Sequence, residues 1–203
     1  FIGLFIVKKD YRHRGYGVSL WKHALNYLRD IECIGLEAAP NRLKDYQKWG
    51  FNMSSITNRW KLHDSRILPT KNFYKDLNCD FKVVPGRQIS SAAVLNYDSQ
   101  REPSPRPHFL RDWLNNPHGN VNALIDKNDM CHGFGRIRPC ILKDNKQGWR
   151  IGPLLADTPP LAELLIRQLV SGLDNEILLD CPGLNPYANY LLSNLGFSEI
   201  SKT

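Results

Sequence analysis

A chain of 203 residues that is 42% hydrophobic and 23% charged has the balance of a soluble globular protein and excludes a disordered chain or a disulfide-stapled miniprotein. It suffices for one or two domains that bury roughly 70% of the surface of the unfolded chain, and no apolar run approaches the ~20 residues that cross a bilayer. The net charge is +7, with a surplus of +8 in residues 1–75 and −1 in the remainder; this asymmetry points to a polyanionic partner, either a nucleic acid or the phosphates of a nucleotide.

The chain opens on Phe1-Ile2-Gly3-Leu4-Phe5-Ile6-Val7, which reads as a buried strand. Residues 17–29 place Val18, Trp21, Leu25 and Leu28 on one helical stripe. Ile34 to Ala39 reads as a short strand, residues 40–49 as a helix closed by Gly50, and residues 51–62 as a returning strand. A stretch without clear period precedes Pro85-Gly86, so the domain boundary is expected near residue 80. The second part is expected to hold helices at 90–97 and 107–114 and strands at 121–125, 133–142 and 149–156. A helix at 160–170, a strand at 177–180 and a helix at 186–195 follow. Cys33, Cys79, Cys131, Cys140 and Cys181 are odd in number and contain no C-x-x-C pair, which speaks against a disulfide framework or a metal site. A reducing compartment, the cytoplasm, is the expected location.

The two parts repeat each other. Ile2-Gly3-Leu4 recurs as Ile151-Gly152-Pro153-Leu154, Leu36-Glu37-Ala38-Ala39-Pro40-Asn41 recurs loosely as Leu179-Asp180-Cys181-Pro182 with Asn185 close behind, and Gly50-Phe51 recurs as Gly196-Phe197. Order and spacing are both kept, which predicts two related α/β units.

Arg12-His13-Arg14-Gly15-Tyr16-Gly17 lies between the first strand and the first helix. Backbone N–H groups there face one concavity at the positive end of the helix dipole, and glycines let an anion approach without a Cβ in the way. Lys8, Lys9, Arg12 and Arg14 add positive field. A pyrophosphate suits the place; a basic turn that only caps a helix is the alternative. The text is neither a Walker loop nor the G-x-G-x-x-G dinucleotide pattern.

It resembles motif A of the GNAT superfamily of acyl-CoA-dependent N-acyltransferases: Leu4-Phe5-Ile6-Val7 followed, four residues later, by Arg12 through Gly17. The next landmarks of that family are matched by the strand at 34–39, Asn41, Tyr46 and Gly50-Phe51, with Asn41 to Tyr46 about two residues shorter than is usual there. The resemblance implies an α/β fold of two GNAT-like units, each a mixed central sheet flanked by helices. Residues 1–80 would be the C-terminal half of an acetyltransferase domain whose first unit lacks its N-terminal half, and residues 81–203 a second, degenerate domain. Ala156-Asp157-Thr158-Pro159-Pro160 stands where the second unit's glycine loop belongs, and Leu192 stands in the place of Tyr46. The whole resembles the tandem subgroup with a degenerate C-terminal module, in which only the first unit takes acyl-CoA.

By the same resemblance the chain is expected to transfer an acetyl group from acetyl-CoA to a primary amine of a small molecule or protein. The backbone of Phe5, Ile6 and Val7 would pair with the pantetheine arm, and the N–H of Val7 would polarise the thioester carbonyl. Arg12, His13, Arg14, Gly15, Tyr16, Gly17 and Val18 would hold the pyrophosphate, with Asn41 a further cofactor contact. Tyr46 would protonate the departing thiolate as general acid, or else pack as an aromatic under the cofactor. Glu37 is the candidate base, with a surface or ion-paired carboxylate as its alternative. Arg138, Asp157 and Asp180 either line an acceptor pocket or form structural ion pairs. A noncatalytic acyl-CoA-binding or protein-interaction module is the competing class; no nucleic-acid signature accompanies the charge, and no membrane partner is expected.

Overall fold

The computed structural model describes residues 1–69, 81–102 and 104–203. These form two compact units, Phe1–Ser54 with Lys202–Thr203, and Ser55–Ser201. The boundary expected near residue 80 lies outside the described residues.

In the first unit, helix α1 (Tyr16–Tyr27) follows a 3-10 turn at Lys9–Tyr11, and a second 3-10 turn, Pro40–Arg42, leads into the short helix α2 (Leu43–Gln47). The strands expected at 1–7 and 34–39 are reduced to one parallel bridge between Ile2 and Leu36, where the Ile2 N–H donates to Gly35 O at 2.8 Å. Leu4 adopts φ +56°, which breaks the extended run, and its side chain is 93% exposed. An apolar strand is buried only by neighbours on its edges and faces, and here Leu36 alone supplies a bridge among the described residues. The core of this unit is Trp21, 3% exposed, with the rings of Phe5, Tyr46 and Phe51 at 5.3, 5.5 and 5.9 Å. α2 ends where Gly50 takes φ +88°. The N–H of Gly50 then reaches Gln47 O at 3.0 Å and that of Phe51 reaches Tyr46 O at 3.2 Å, a Schellman cap that only a residue at home in left-handed backbone closes cheaply.

The second unit is built on a seven-stranded mixed sheet. Its strands are β1 (Thr57–Leu62), β2 (Lys82–Pro85), β3 (Asn120–Ile125), β4 (Cys131–Ile141), β5 (Gln147–Ala156), β6 (Ile177–Pro182) and β7 (Ser198–Lys202). They lie in the order β2-β3-β4-β5-β6-β1-β7. The strand expected to end the first unit is therefore β1, seated between β6 and β7 and antiparallel to β6 with Arg59 opposite Asp180. Neither β2 nor β7 was expected from the sequence.

Successive residues of β4 face opposite sides of the sheet. A Cβ added to Gly135 would meet Leu169 of helix α5 (Pro159–Val170) at 2.8 Å. The ring of Phe134 meets that of Tyr97 on helix α3 (Ser91–Ser99) at 6.1 Å. On one face Ile166 and Leu169 of α5 and Leu191 and Leu192 of helix α6 (Pro186–Asn194) pack with Leu62, Ile137 and Ile177. On the other, Val94 and Tyr97 of α3 and Leu110 of helix α4 (Pro107–Asn115) pack with Ala123 and Phe134. α6 closes as α2 does: Gly196 has φ +84°, its N–H donates to Ser193 O at 3.1 Å, and that of Phe197 donates to Leu192 O at 3.0 Å. Cys33, Cys131, Cys140 and Cys181 are free thiols, and Cys79 lies outside the described residues. Among the described residues no helix is long and apolar enough to cross a membrane.

Candidate functional site

The loop before α1 is shaped by residues that tolerate positive φ. His13 sits at +61° and Gly15 at +84°, and Gly15 is the residue preceding the helix, with no side chain to cap it. The N–H of Ser19 is already committed to Gly15 O at 3.0 Å. The first helical residues Tyr16, Gly17 and Val18 precede any intrahelical acceptor, so their N–H groups are directed out of the helix start. No acidic residue lies in the first turn. Arg12 folds back to donate its Nε–H to Val7 O at 2.9 Å, tying the loop to the apolar segment, and the Arg14 guanidinium lies 5.9 Å from the centroid of the Tyr11 ring. Arg12, His13, Arg14, Gly15, Tyr16 and Val18 are exposed, while Gly17 and Val7 are half-buried. A Cβ at Gly17 would come within 3.5 Å of the Val7 side chain.

Phe5 packs against Trp21 and Ile6 is exposed. Tyr46 is half-buried on α2, in contact with Trp21 and with Phe51 at 6.2 Å. Glu37, beside the Ile2–Leu36 bridge, is exposed, and Asn41 is exposed in the 3-10 turn before α2. The sequence reading missed Trp21 as the residue around which Phe5, Tyr46 and Phe51 assemble. Its indole Nε1 is buried without a hydrogen-bond partner among the described residues.

Within the second unit, a cleft of about 600 Å³ opens where β5 and β6 part, bordered by α5 and α6. Asp157 and Asp180 line it, and each is engaged. The Asp157 carboxylate accepts from Tyr97 Oη at 2.8 Å, Arg101 Nη2 at 2.6 Å and Nε at 3.1 Å, and meets His132 Nδ1 at 3.0 Å. His132 Nε2 lies 3.2 Å from Asp126. Burial opposes ionisation of Asp157, but the bonds from Tyr97, Arg101 and His132 outweigh it and hold the carboxyl below its ordinary range. Burial and the same carboxylate push the Tyr97 phenol up. Asp180 accepts from Arg59 Nε at 2.7 Å and Nη2 at 2.9 Å and is also bound by Arg150. Here too burial is overcome, chiefly by Arg59, and the carboxyl is lowered. Arg138 is not among these groups; its guanidinium lies 5.2 Å from the centroid of the Trp113 ring. The structure thus gives the two aspartates ion pairs and does not gather the three residues into one pocket.

Comparison with known proteins matches residues 94–203 to an acetyltransferase (GNAT) domain and residues 1–51 to the acetyltransferase (GNAT) family. The chain is 24% identical over 205 residues to holothin acyltransferase of Pseudoalteromonas sp. (strain SANK 73390) and 21% identical over 202 residues to the uncharacterized N-acetyltransferase YitH of Bacillus subtilis (strain 168). It spans all of itself but 64% of the first relative, and 98% of itself but 66% of the second. Among solved structures, a putative acetyltransferase from Pyrococcus horikoshii superposes with TM-score 0.69 at 24% identity, over 97% of this chain and 60% of that one. A tandem GNAT protein from the clavulanic acid biosynthesis pathway, solved without AcCoA, superposes with TM-score 0.67 at 14% identity, over 97% and 70% of the respective chains.

Proposed function

Given that this chain belongs to the GNAT acetyltransferase family, whose domain model matches more than half of it, we propose that it serves an N-acetyltransferase that moves an acetyl group from acetyl-CoA to a primary amine of a small molecule or protein. The observation that carries the reading is the start of α1, where outward-facing N–H groups, two residues at positive φ and no acidic side chain in the first turn suit a pyrophosphate. Arg12 through Val18 hold that group, with Arg12 kept in place by its bond to Val7 O. The backbone of Phe5, Ile6 and Val7 orients the thioester arm, the N–H of Val7 polarises its carbonyl, and Asn41 lies on the same ligand. Tyr46, held by Trp21 and Phe51, gives its phenolic proton to the leaving thiolate. Glu37, exposed to solvent, takes a proton from the incoming ammonium, which must become neutral before it attacks. The place of action on this reading is the cytoplasm.

The test is calorimetric titration of acetyl-CoA into the wild-type chain and into the Arg14→Glu/Gly15→Asp variant, followed by a thiol-release assay over a panel of amines. Saturable binding that the double substitution abolishes is expected; equal affinity in the two proteins refutes the loop assignment. The competing reading, a noncatalytic acyl-CoA or protein-binding module, draws on how Tyr46 packs its ring among Trp21 and Phe51, and predicts binding without thiol release for every amine.

A further inference from the structure

Arg136 is 1% exposed, yet no acid pairs with it among the described residues. Its Nη2 donates to the carbonyls of Asn116 and His118, in the loop between α4 and β3. Its Nε and Nη1 are buried with no hydrogen-bond partner among the described residues, and the Nε of Arg138 is buried in the same way. Arg138 lies two positions further along β4 and so faces the same side of the sheet. Burial and the like charge of Arg138 hold the Arg136 guanidinium below its ordinary range. Both groups lean on one ring, that of Trp113, at 4.7 and 5.2 Å from its centroid. That ring is fixed from two further directions: it stacks on Phe109 at 5.6 Å and 19°, and its Nε1–H donates to Gly152 O at 3.3 Å. Stacking on an indole offsets only part of the cost of keeping a guanidinium from water, and buried donors without acceptors are rare in folded proteins.

The same side of the sheet shows what such donors take. Arg150 stands opposite Arg138 on β5, and Arg150 and Arg59 share the Asp180 carboxylate, Arg59 through Nε and Nη2 at 2.7 and 2.9 Å. There one carboxylate serves two guanidinium groups. Arg136 and Arg138 present a second pair of guanidinium groups without the carboxylate. A planar carboxylate matches the paired N–H groups along a guanidinium edge. Phosphate groups draw instead on the N–H groups of a helix start, and Trp113 lies in the last turn of α4 (Pro107–Asn115), where a helix offers carbonyl groups.

We infer that Arg136 and Arg138 form a binding site for the carboxylate of a small organic acid, with the Trp113 ring as one wall. The ligand enters at Arg138, which is half-buried, beneath the exposed loop Asn116 to His118, and its oxygens take the N–H groups that have no acceptor. Arg136 supplies charge from beneath, and Arg138 makes the contact nearer to solvent. The site shares no residue with the loop at the start of α1 and does not depend on the transfer reaction proposed above.

The experiment is titration of the ¹⁵N-labelled full chain, at constant ionic strength, with sodium propionate, its neutral isostere propionamide, and sodium sulfate. The side-chain Nε–H signals of Arg136 and Arg138 are followed. Propionate is expected to shift both signals saturably, propionamide to leave them in place, and sulfate to need at least about tenfold more for half-saturation, since it lacks the planar fit. Arg138→Gln should abolish the Arg136 shift, and Arg138→Lys, which keeps the charge without the fork, should weaken propionate by about tenfold or more. The proposal is overturned if propionate fails to move both signals up to roughly 50 mM, a range wide enough for so small a ligand, or if propionamide acts equally. Sulfate binding within about tenfold of propionate, or undiminished affinity in the lysine variant, would also overturn it by reducing the site to a diffuse positive field. The wild-type titrations decide alone if the variants do not fold.

Discussion

Replacing Asp180 by asparagine tests what holds β1 in the sheet. The carboxylate faces Arg59 across the β1–β6 pair, takes two hydrogen bonds from it at 2.7 and 2.9 Å, and is also bound by Arg150 of β5. Hydrogen bonds to a charged group contribute about 1.5–3 kcal/mol each. The side chains are partly wet, 20% exposed for Asp180, 36% for Arg59 and 34% for Arg150, so solvent screening reduces the sum. Asparagine keeps one acceptor oxygen but removes the charge and leaves two guanidinium groups facing each other. A loss of about 2–3 kcal/mol is expected on these grounds, read as the shift in urea midpoint at unchanged slope with tryptophan fluorescence, Trp60 being a buried reporter on β1. The sign of the pH dependence follows from the lowered carboxyl. Its stabilisation is complete above the ordinary aspartate range near pH ~4 and is lost as pH falls through the lowered folded value. The difference between wild type and Asp180→Asn should therefore stay constant from pH 7 to 5 and close in more acidic solution. A difference under about 0.5 kcal/mol, typical of a surface ion pair, or one that persists undiminished at low pH, refutes the account.

Three further outcomes are expected. Gly119→Ala should cost more than about 3 kcal/mol, because its Cβ would fall 2.1 Å from Ile137 O and 2.8 Å from the Arg138 Cα, both backbone, at φ +108°; soluble protein with the wild-type melting midpoint would contradict this. Gly50→Ala and Gly196→Ala should each cost about 1 kcal/mol, since the space around both is open to 4.0 Å and only the left-handed backbone resists; a loss beyond twice that in either would mean that packing, not φ, is responsible. Under the proposed function Tyr46→Phe should lower kcat by about 10²-fold or more with acetyl-CoA affinity within twofold by calorimetry. A parallel loss of affinity would show that the tyrosine contributes through packing instead.

Helices were legible wherever an apolar stripe and its stop signal occur together. Residues 17–29 became α1 at Tyr16–Tyr27, and 186–195 became α6 at Pro186–Asn194, opened by Pro186 and closed by Gly196. Strands were legible where both faces are covered, as in β3, β4 and β5. β7 escaped because every residue of Ser198–Lys202 is exposed, which leaves no alternation to read. β2 is only four residues long. The alternation of Asn58, Trp60 and Leu62 marks β1 as a strand with one covered face, but periodicity names a face and not a neighbour, so its place between β6 and β7 could not be read. The opposite holds at residues 1–7: an apolar run reads as a buried strand, but burial depends on neighbours that a run does not contain, and here only the Ile2–Leu36 bridge forms among the described residues.

The candidate site divides along the same line. The loop before α1 is contiguous: its glycines, its basic residues and its helix start lie within one short stretch, so its geometry is written locally. The Asp157 cluster is assembled from Tyr97, Arg101 and His132, which lie 60, 56 and 25 residues away, and no spacing rule joins them. The internal repeat separates the two kinds of information further. Gly50-Phe51 and Gly196-Phe197 form the same pair of cap hydrogen bonds, so the feature both units need in order to turn is retained. The first unit's glycine loop is not: Asp157, Pro159 and Pro160 stand in its place, so the start of α5 has no N–H at its first two positions.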